Sequence, residues 1–494
     1  MQNFARLSTG LSQDLIQDLM NPTLQRDFGL FYRPLMAINR AHVVMLAERT
    51  ILSRSDAAVI LRGLDTVEAD LTPETLREDL DLYYNVERRL QAEIGPVAGR
   101  MHTARSRNDL QATYQRLAVR ETLDRTIADV VALRGTVLVL AEQHVESVMP
   151  GYTHTQPAQP VTFGHYLLGV HDAFARDEER LVAARRRTNF SPLGAGALAT
   201  TGFPIDRTRT ATLLGFDGLV EASIDAVASR DYILEALAAC VGTTSTASRI
   251  SADLIAWSGW ENRFVEIADG YASSSSIMPQ KKNPLALEHT RAKVANAIGA
   301  YTAAATLTKG LPFTHSRDTG SEMFHLAFDG FAETGLVARV LGAVLSSLTV
   351  HRERMAAAAG NGFATVTELA DTLVRRCGLP FRTAHDIVGA MVGRAVSDDL
   401  APADWTLGHL REMAAVHDAD VSALTEDDLR SSLDPTLNVA IRAVIGGPSP
   451  QEVSRLLVAR HDALAQSAAT VDALRTQTSD ASRALASEVA ALTA

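Results

Sequence analysis

The sequence predicts an all-α fold, on three observations. Apolar residues recur at helical spacing over long stretches, and alternating strand patterns are scarce throughout. The run Gln111 to Val148 spans 38 residues without proline and with Gly135 as its one glycine. At 1.5 Å per residue that run makes a helix about 57 Å long. Such a helix is far longer than average and implies a long bundle of the kind often buried between subunits. Further long patterns cover Phe163–Arg187, Ser229–Gly259, Leu285–Leu307 and Met323–Ala359. Together they predict a central five-helix bundle domain over residues 113–361. An N-terminal helical domain over 1–112 and a C-terminal one over 362–494 flank it.

The flanking elements follow in order. Phe28–Leu46 has helical spacing broken at Pro34. Asp56–Leu71 carries Ala58, Ile60, Leu61, Leu64 and Val67 on one face. Thr72-Pro73-Glu74 combines a capping residue with proline at a first helical position. Tyr83–Ile94 is helical, and Gly95-Pro96 stops it. In the last region Thr365–Arg376 and Thr383–Val396 are helices separated by Gly378-Leu379-Pro380. Gly446-Gly447-Pro448 is a loop, and Gln451–Thr493 is a terminal helix packed by Leu457, Leu464, Val471 and Leu474. No internal repeat is present.

Composition narrows the function. A net charge of −11, from 47 basic and 58 acidic residues, argues against nucleic-acid or general polyanion binding. An anionic substrate then needs a locally basic pocket. The 2 cysteines, Cys240 and Cys377, form neither a disulfide framework nor a metal motif. The N-terminus has no apolar signal-peptide core and no apolar run is long enough to span a membrane, so a cytoplasmic setting is expected.

Polar loops interrupt the helices at three places. Ser273–Pro284 reads SSSSIMPQKKNP; its serines and prolines forbid a helix interior and place hydroxyls, lysine and amide ahead of a helix start. Free N–H groups, the positive helix end and an ammonium there all suit an anion. Met101–Thr113 reads MHTARSRNDLQAT, a dense polar cluster in which Asp109 can cap the longest helix. Gly151–Thr162 reads GYTHTQPAQPVT and breaks two helices around Thr153, His154 and Gln156. Each loop read alone is compatible with a plain structural connector.

Together they resemble the fumarase/aspartase superfamily. Ser275, Ser276, Met278, Pro279, Lys281, Asn283 and Pro284 fall in register with its signature GSSxMPxKxNP, with Ser274 at the glycine position. The MPQKKNP and SRND wording is similar to argininosuccinate lyase, as are Gly194–Arg207, Asp225–Tyr232 and Thr367–Gly389. The resemblance implies that Ser275 is the general base and Lys281 a stabilising cation. His154 would be the charge-relaying histidine, paired with Glu288, which lies thirteen residues after Ser275. Arg107, Asn108, Thr153, Gln156, Ser276, Met278 and Asn283 would contact a small dicarboxylate substrate. It also implies no cofactor and no metal, and a homotetramer with a twenty-helix core whose sites draw on three subunits.

The chain departs from argininosuccinate lyases on the amine side of the substrate. Asp81 stands where histidine is expected, in a segment with two extra residues, and Leu35 and Asn39 lie in a changed stretch near the N-terminus. Apart from this, in the motif around SRND, Ala104 and Leu110 replace glycine and glutamine. His315, Gly320 and Met323 replace tyrosine, glutamine and lysine. His315 and Arg317 offer positive charge there, suited to a further carboxylate. The expected reaction is β-elimination of fumarate from an N-substituted aspartate, with an aminopolycarboxylate substrate similar to that of ethylenediamine-disuccinate lyase. The alternatives are a true argininosuccinate lyase, an adenylosuccinate lyase, or a non-enzymatic relative like the lens crystallins of this family.

Overall fold

Seventeen α-helices account for most of residues 11–494, which the computed structural model describes. The segment MQNFARLSTG, read above for signal-peptide character, lies outside the described residues. Among the described residues no helix is long and apolar enough to cross a membrane. The expected all-α fold is observed.

The first helix, α1 (Asn21–Glu48), runs unbroken through Pro34, where the sequence predicts a break. Proline removes one backbone donor, but Phe31, Tyr32, Leu35, Met36 and Ile38 around it are all buried and hold the helix to the core. Ser53 caps α2 (Arg54–Asp70), accepting the N–H of Asp56 at 3.1 Å. Pro73–Thr75 forms only a short 3-10 turn. Asp81 caps α3 (Leu82–Ile94) by accepting the N–H of Tyr84 at 3.0 Å. Beyond α3 the backbone continues as a 3-10 helix, Gly95–His102, rather than stopping at Gly95.

The bundle is built from α4 (Arg107–Gln143), α5 (Phe163–Thr188), α8 (Asp231–Ser258), α9 (Leu285–Thr308) and α10 (Met323–Ser346), with the short α6 (Arg207–Leu213) and α7 (Ser223–Ala228) between α5 and α8. α4 has 37 residues, about 55 Å of helix. It packs on α5 and α10, α9 packs on α8 and α10, and α5 also meets α8. Buried arginines tie the start of α4 to its neighbours. Arg116 donates to the carbonyls of Arg187 and Thr188 and to Ser229 Oγ, and Arg120 to Asn189 Oδ1 and the carbonyls of Leu214 and Gly215. These bonds satisfy the guanidinium donors that burial strips of water. They also set α5 antiparallel to α4, with α8 starting beside the α4 N-terminus.

Two boundaries differ from the sequence expectation. Residues 148–162 are not a bare turn but an antiparallel hairpin of β1 (Val148–Thr153) and β2 (Gln156–Thr162). The run Met323–Ala359 is two helices, α10 and α11 (Arg352–Asn361), because Thr349-Val350 pairs with Val265-Glu266 as a short strand. No local pattern shows that pairing.

The remaining helices are α12 (Val366–Cys377), α13 (Phe381–Ser397), α14 (Leu407–Val416), α15 (Glu426–Leu433), α16 (Pro435–Ile441) and α17 (Pro450–Thr493). Leu369, Leu373, Ile387, Met391, Trp405, Leu410 and Leu429 of the 366–433 stretch make a second core of their own. The last helix is different: Val453, Leu457, Val471, Leu485 and Val489 of α17 join the main core with α4, α2 and α1. Core membership therefore carries the end of the chain back to the bundle.

Burial pushes several imidazoles down: His42 to about 3, His102 to about 4 with help from Arg105 and Arg107, and His144 to about 4 with help from Arg352. The unfolded chain, with histidines near the ordinary value, then binds more protons than the folded one below about pH 6.5. Asp109, pushed up to about 6 by burial, and Asp177, also raised by burial, act in the opposite sense. Burial pushes His171 and His315 down as well, so the depressed imidazoles outnumber the raised carboxyls. Denaturant unfolding at a series of pH values should show stability falling as the pH drops from about 6.5 toward 4, with a shallower fall in His42→Gln. A flat or rising profile contradicts this.

Candidate active site

Arg107 and Asn108 open α4. Ser106 Oγ accepts the N–H of Asn108 at 3.2 Å, and Asp109 Oδ1 accepts the N–H of Ser106 at 3.0 Å, a reciprocal cap. The other oxygen of Asp109 accepts the N–H groups of Gly194 at 2.9 Å and Gly196 at 3.0 Å. Both glycines have positive φ, and a Cβ on Gly196 would lie 2.6 Å from the Thr200 carbonyl oxygen, so no other residue fits there. The buried Asp109 carboxylate thus pins the Gly194–Gly196 loop to the helix start. Asn108 Nδ2 reaches the same loop at the Ala197 carbonyl, 3.2 Å away. Ala104, which replaces a family glycine, has φ 62°; the position keeps the left-handed backbone that glycine adopts most readily.

Arg107 is ion-paired with Asp81 and lies over the ring of Tyr84, 4.6 Å from its centroid. His315 and Arg317 join this end of the bundle, where the Gly320 carbonyl accepts from Gln111 and Gln115 at the start of α4. Burial, together with Arg230, Arg317 and Arg107, pushes the His315 imidazole down to about 4. It is therefore neutral at ordinary pH, among cations. Arg230 is buried, donates through Nε to the Thr319 carbonyl at 2.9 Å, and keeps Nη2 without a hydrogen-bond partner among the described residues. Sequence reasoning missed Arg230. Its signal was a charged residue in a stretch of small residues directly before a helix.

The serine loop sits at the other end of the bundle, at the start of α9. Ser273-Ser274 pairs antiparallel with Asn283-Lys282, closing the loop between them. Ser275 Oγ accepts the N–H groups of Ile277 at 3.3 Å and Met278 at 3.0 Å. Donors aimed at an oxygen favour its anionic form. Lys282 is engaged by Glu266 at 2.8 Å and Asp269 at 2.6 Å. Lys281 makes no ion pair among the described residues, and borders a cavity of about 630 Å³ with Met278, Asn283 and Glu288. Ser276 is exposed on the same loop.

The hairpin lies beyond the C-terminal end of α4. Thr153 pairs with Gln156, leaving His154 and Thr155 as a two-residue turn with φ of 53° and 61°. Such a turn needs two left-handed residues and normally uses Asn-Gly. A histidine and a β-branched threonine held there store local strain of about 1–3 kcal/mol each, a feature that clusters at functional sites. Thr153, His154 and Gln156 are all exposed. Among the described residues no hydrogen bond or ion pair joins His154 to Glu288, Ser275 or Lys281. One chain therefore holds two groups of candidate site residues: Arg107, Asn108, His315 and Arg317 at one end, the serine loop and hairpin at the other.

This architecture and these loops define an all-helical lyase. Residues 26–299 match the family model described as "Lyase", and residues 363–440 the one described as "Argininosuccinate lyase C-terminal". The chain is 40% identical over 476 residues to the argininosuccinate lyase of Methanothrix thermoacetophila, covering 96% of each. It is 39% identical over 460 residues to argininosuccinate lyase 1 of Shouchella clausii, covering 92% of this chain and 91% of that one. A solved variant of EDDS lyase with bound fumarate superposes with a TM-score of 0.89 at 33% identity, over 98% of this chain and 97% of that one. The chain belongs to the argininosuccinate lyase-like group of the fumarase/aspartase superfamily, and it is a carbon–nitrogen lyase of the fumarate-lyase type.

Because Asp109 joins helix cap and glycine loop, Asp109→Ala should lower stability by about 3 kcal/mol, combining a lost cap with buried N–H groups left unpaired. A denaturant midpoint equal to that of the parent protein contradicts the account.

Proposed function

We propose that this lyase eliminates fumarate from an N-substituted aspartate whose amine half carries a further carboxylate, and that it works as a homotetramer. The observation that carries the substrate reading is the gathering of Arg107, Arg230 and Arg317 around a neutral His315. Arg107 with Asn108 takes a carboxylate of the aspartate half, for which a guanidinium offers paired donors. Arg230 and Arg317 are then left to favour an acid group on the amine half. The similarity to EDDS lyase supports this reading. The second reading, argininosuccinate lyase itself, rests on the 40% identity to the archaeal enzyme.

In the proposed mechanism the Ser275 oxygen takes the proton from the carbon beside one carboxylate. The electrons pass into that carboxylate as an aci-dianion, then return to form the double bond as the carbon–nitrogen bond breaks, with its electron pair leaving on nitrogen. The proton is weakly acidic, so stabilising the dianion dominates catalysis. Lys281, Asn283 and the N–H groups of the serine loop supply that stabilisation. Ser276, Met278, Thr153 and Gln156 position the substrate. His154 and Glu288 form an oriented pair across a subunit boundary, as histidine–carboxylate pairs do elsewhere. Proton transfer and charge stabilisation are all this elimination needs, and side chains supply both.

The length of α4 supports shared sites, and with them the tetramer. α4 separates Arg107 from the hairpin by about 55 Å, more than a small dicarboxylate spans. Complete sites then need ends contributed by different copies. The domain spans 1–112, 113–361 and 362–494 and a cytoplasmic setting belong to the same proposal.

Three outcomes test it. Ser275→Ala should keep its fold and assembly yet lose about two or more decades of turnover, measured as fumarate absorbance; retention of a tenth of the activity removes Ser275 as base. Ser275→Ala and His154→Asn, each inactive, should regain activity when dissociated and reassembled together. Hybrids shown to form but without activity contradict shared sites. Finally, an aminopolycarboxylate should show a higher kcat/KM than argininosuccinate. Argininosuccinate turned over at about 10⁴ M⁻¹s⁻¹ or better would restore the second reading.

A further inference from the structure

The ion pair between Asp81 and Arg107 occupies the cation that the fumarate-lyase reading assigns to substrate. Neither partner is deeply buried: the side chains keep 25% and 34% of their exposure, so a solute carboxylate can reach them. Asp81 is not free to follow Arg107. Its Oδ1 accepts the N–H of Tyr84 at 3.0 Å as the cap of α3, while Oδ2 faces the guanidinium. Arg107 also lies over the Tyr84 ring. Both groups are thus fixed in place by helix starts, Asp81 before α3 and Arg107 on the first turn of α4. Asp81 stands where histidine is expected, in a segment with two extra residues, so this pairing belongs to an altered segment.

We propose that Asp81 is a specificity-determining residue that exchanges partners during the reaction: it neutralises Arg107 in the empty site, yields it to the substrate carboxylate, and then holds the cationic nitrogen of the amine half. The inference rests on the fumarate-lyase reading of the site. In an N-substituted aspartate the α-carboxylate and the nitrogen are bonded to the same carbon. With the α-carboxylate taken by Arg107, the nitrogen one carbon away is brought toward the Asp81 carboxylate beside that guanidinium. Once Arg107 turns to the substrate, the Asp81 carboxylate is left without its cation, a less favourable state that an arriving cation relieves. A protonated alkyl nitrogen supplies it. That nitrogen leaves as a neutral amine, carrying the electron pair of the broken carbon–nitrogen bond. Asp81 forms and breaks no covalent bond, and it favours substrates that bring a basic nitrogen over those with a neutral aryl nitrogen.

The experiment uses the full-length enzyme and Asp81→Asn, which keeps a good helix cap because asparagine caps as well as aspartate. Two quantities are read: the calorimetric affinity for succinate, a dicarboxylate without nitrogen, and the ratio of kcat/KM for N-alkyl over N-aryl aspartates. In Asp81→Asn, succinate should bind about ten-fold tighter, since Arg107 is no longer held by a competing carboxylate. The alkyl-to-aryl ratio should fall by about ten-fold or more, since the nitrogen loses a charged partner. Asp81→Glu should restore part of the ratio, which a purely structural cap would not. An unchanged succinate affinity or an unchanged ratio overturns the proposal and leaves the lyase assignment standing. A parent enzyme that binds no dicarboxylate overturns the lyase reading, and the exchange with it.

Discussion

The length and rigidity of α4 are the constraint on which the rest depends. A helix of 37 residues cannot bend its ends together, so whatever its N-terminus carries is held away from whatever follows its C-terminus. Arg107 and Asn108 stand at one end and the His154 hairpin at the other. The buried guanidinium groups of Arg116 and Arg120 make the spacing firm, because they bond α4 to the ends of α5 and to the Leu214-Gly215 turn. Removing such bonds in a dry core leaves a charge unpaired, which is strongly destabilising.

At each end, chemistry sits on backbone that local rules alone would not choose. Asp109 is a carboxylate with no exposure, retained because four backbone N–H groups point at it. His154 and Thr155 occupy the left-handed region at a hairpin tip. Ser275 accepts two N–H groups inside a closed loop. In each case the surrounding helices and strands supply the order. This is the usual economy of an enzyme built on a rigid scaffold.

Much of this was legible in the chain itself. The five bundle helices follow from apolar spacing and from where proline and glycine are missing, and the observed limits of α4, α5, α8 and α9 lie close to the expected ones. The three polar loops stand out by composition. Other features were not legible. The split between α10 and α11 depends on Thr349-Val350 finding Val265-Glu266, residues distant in sequence. The unbroken α1 depends on burial around Pro34. Arg230 entered the site only when α8 was placed beside Gly320 and His315.

The sequence by itself determined the helical class, the three polar loops and the family to which the chain belongs, because periodicity and contiguous motifs are local properties. Only the tertiary structure decided that the loops divide between two ends of one bundle, that α17 returns to the main core, and that Asp81 faces Arg107. Those facts are contacts between segments far apart in the chain. They depend on how long helices pack and on which buried charges find partners, and neither is written in any single stretch of residues.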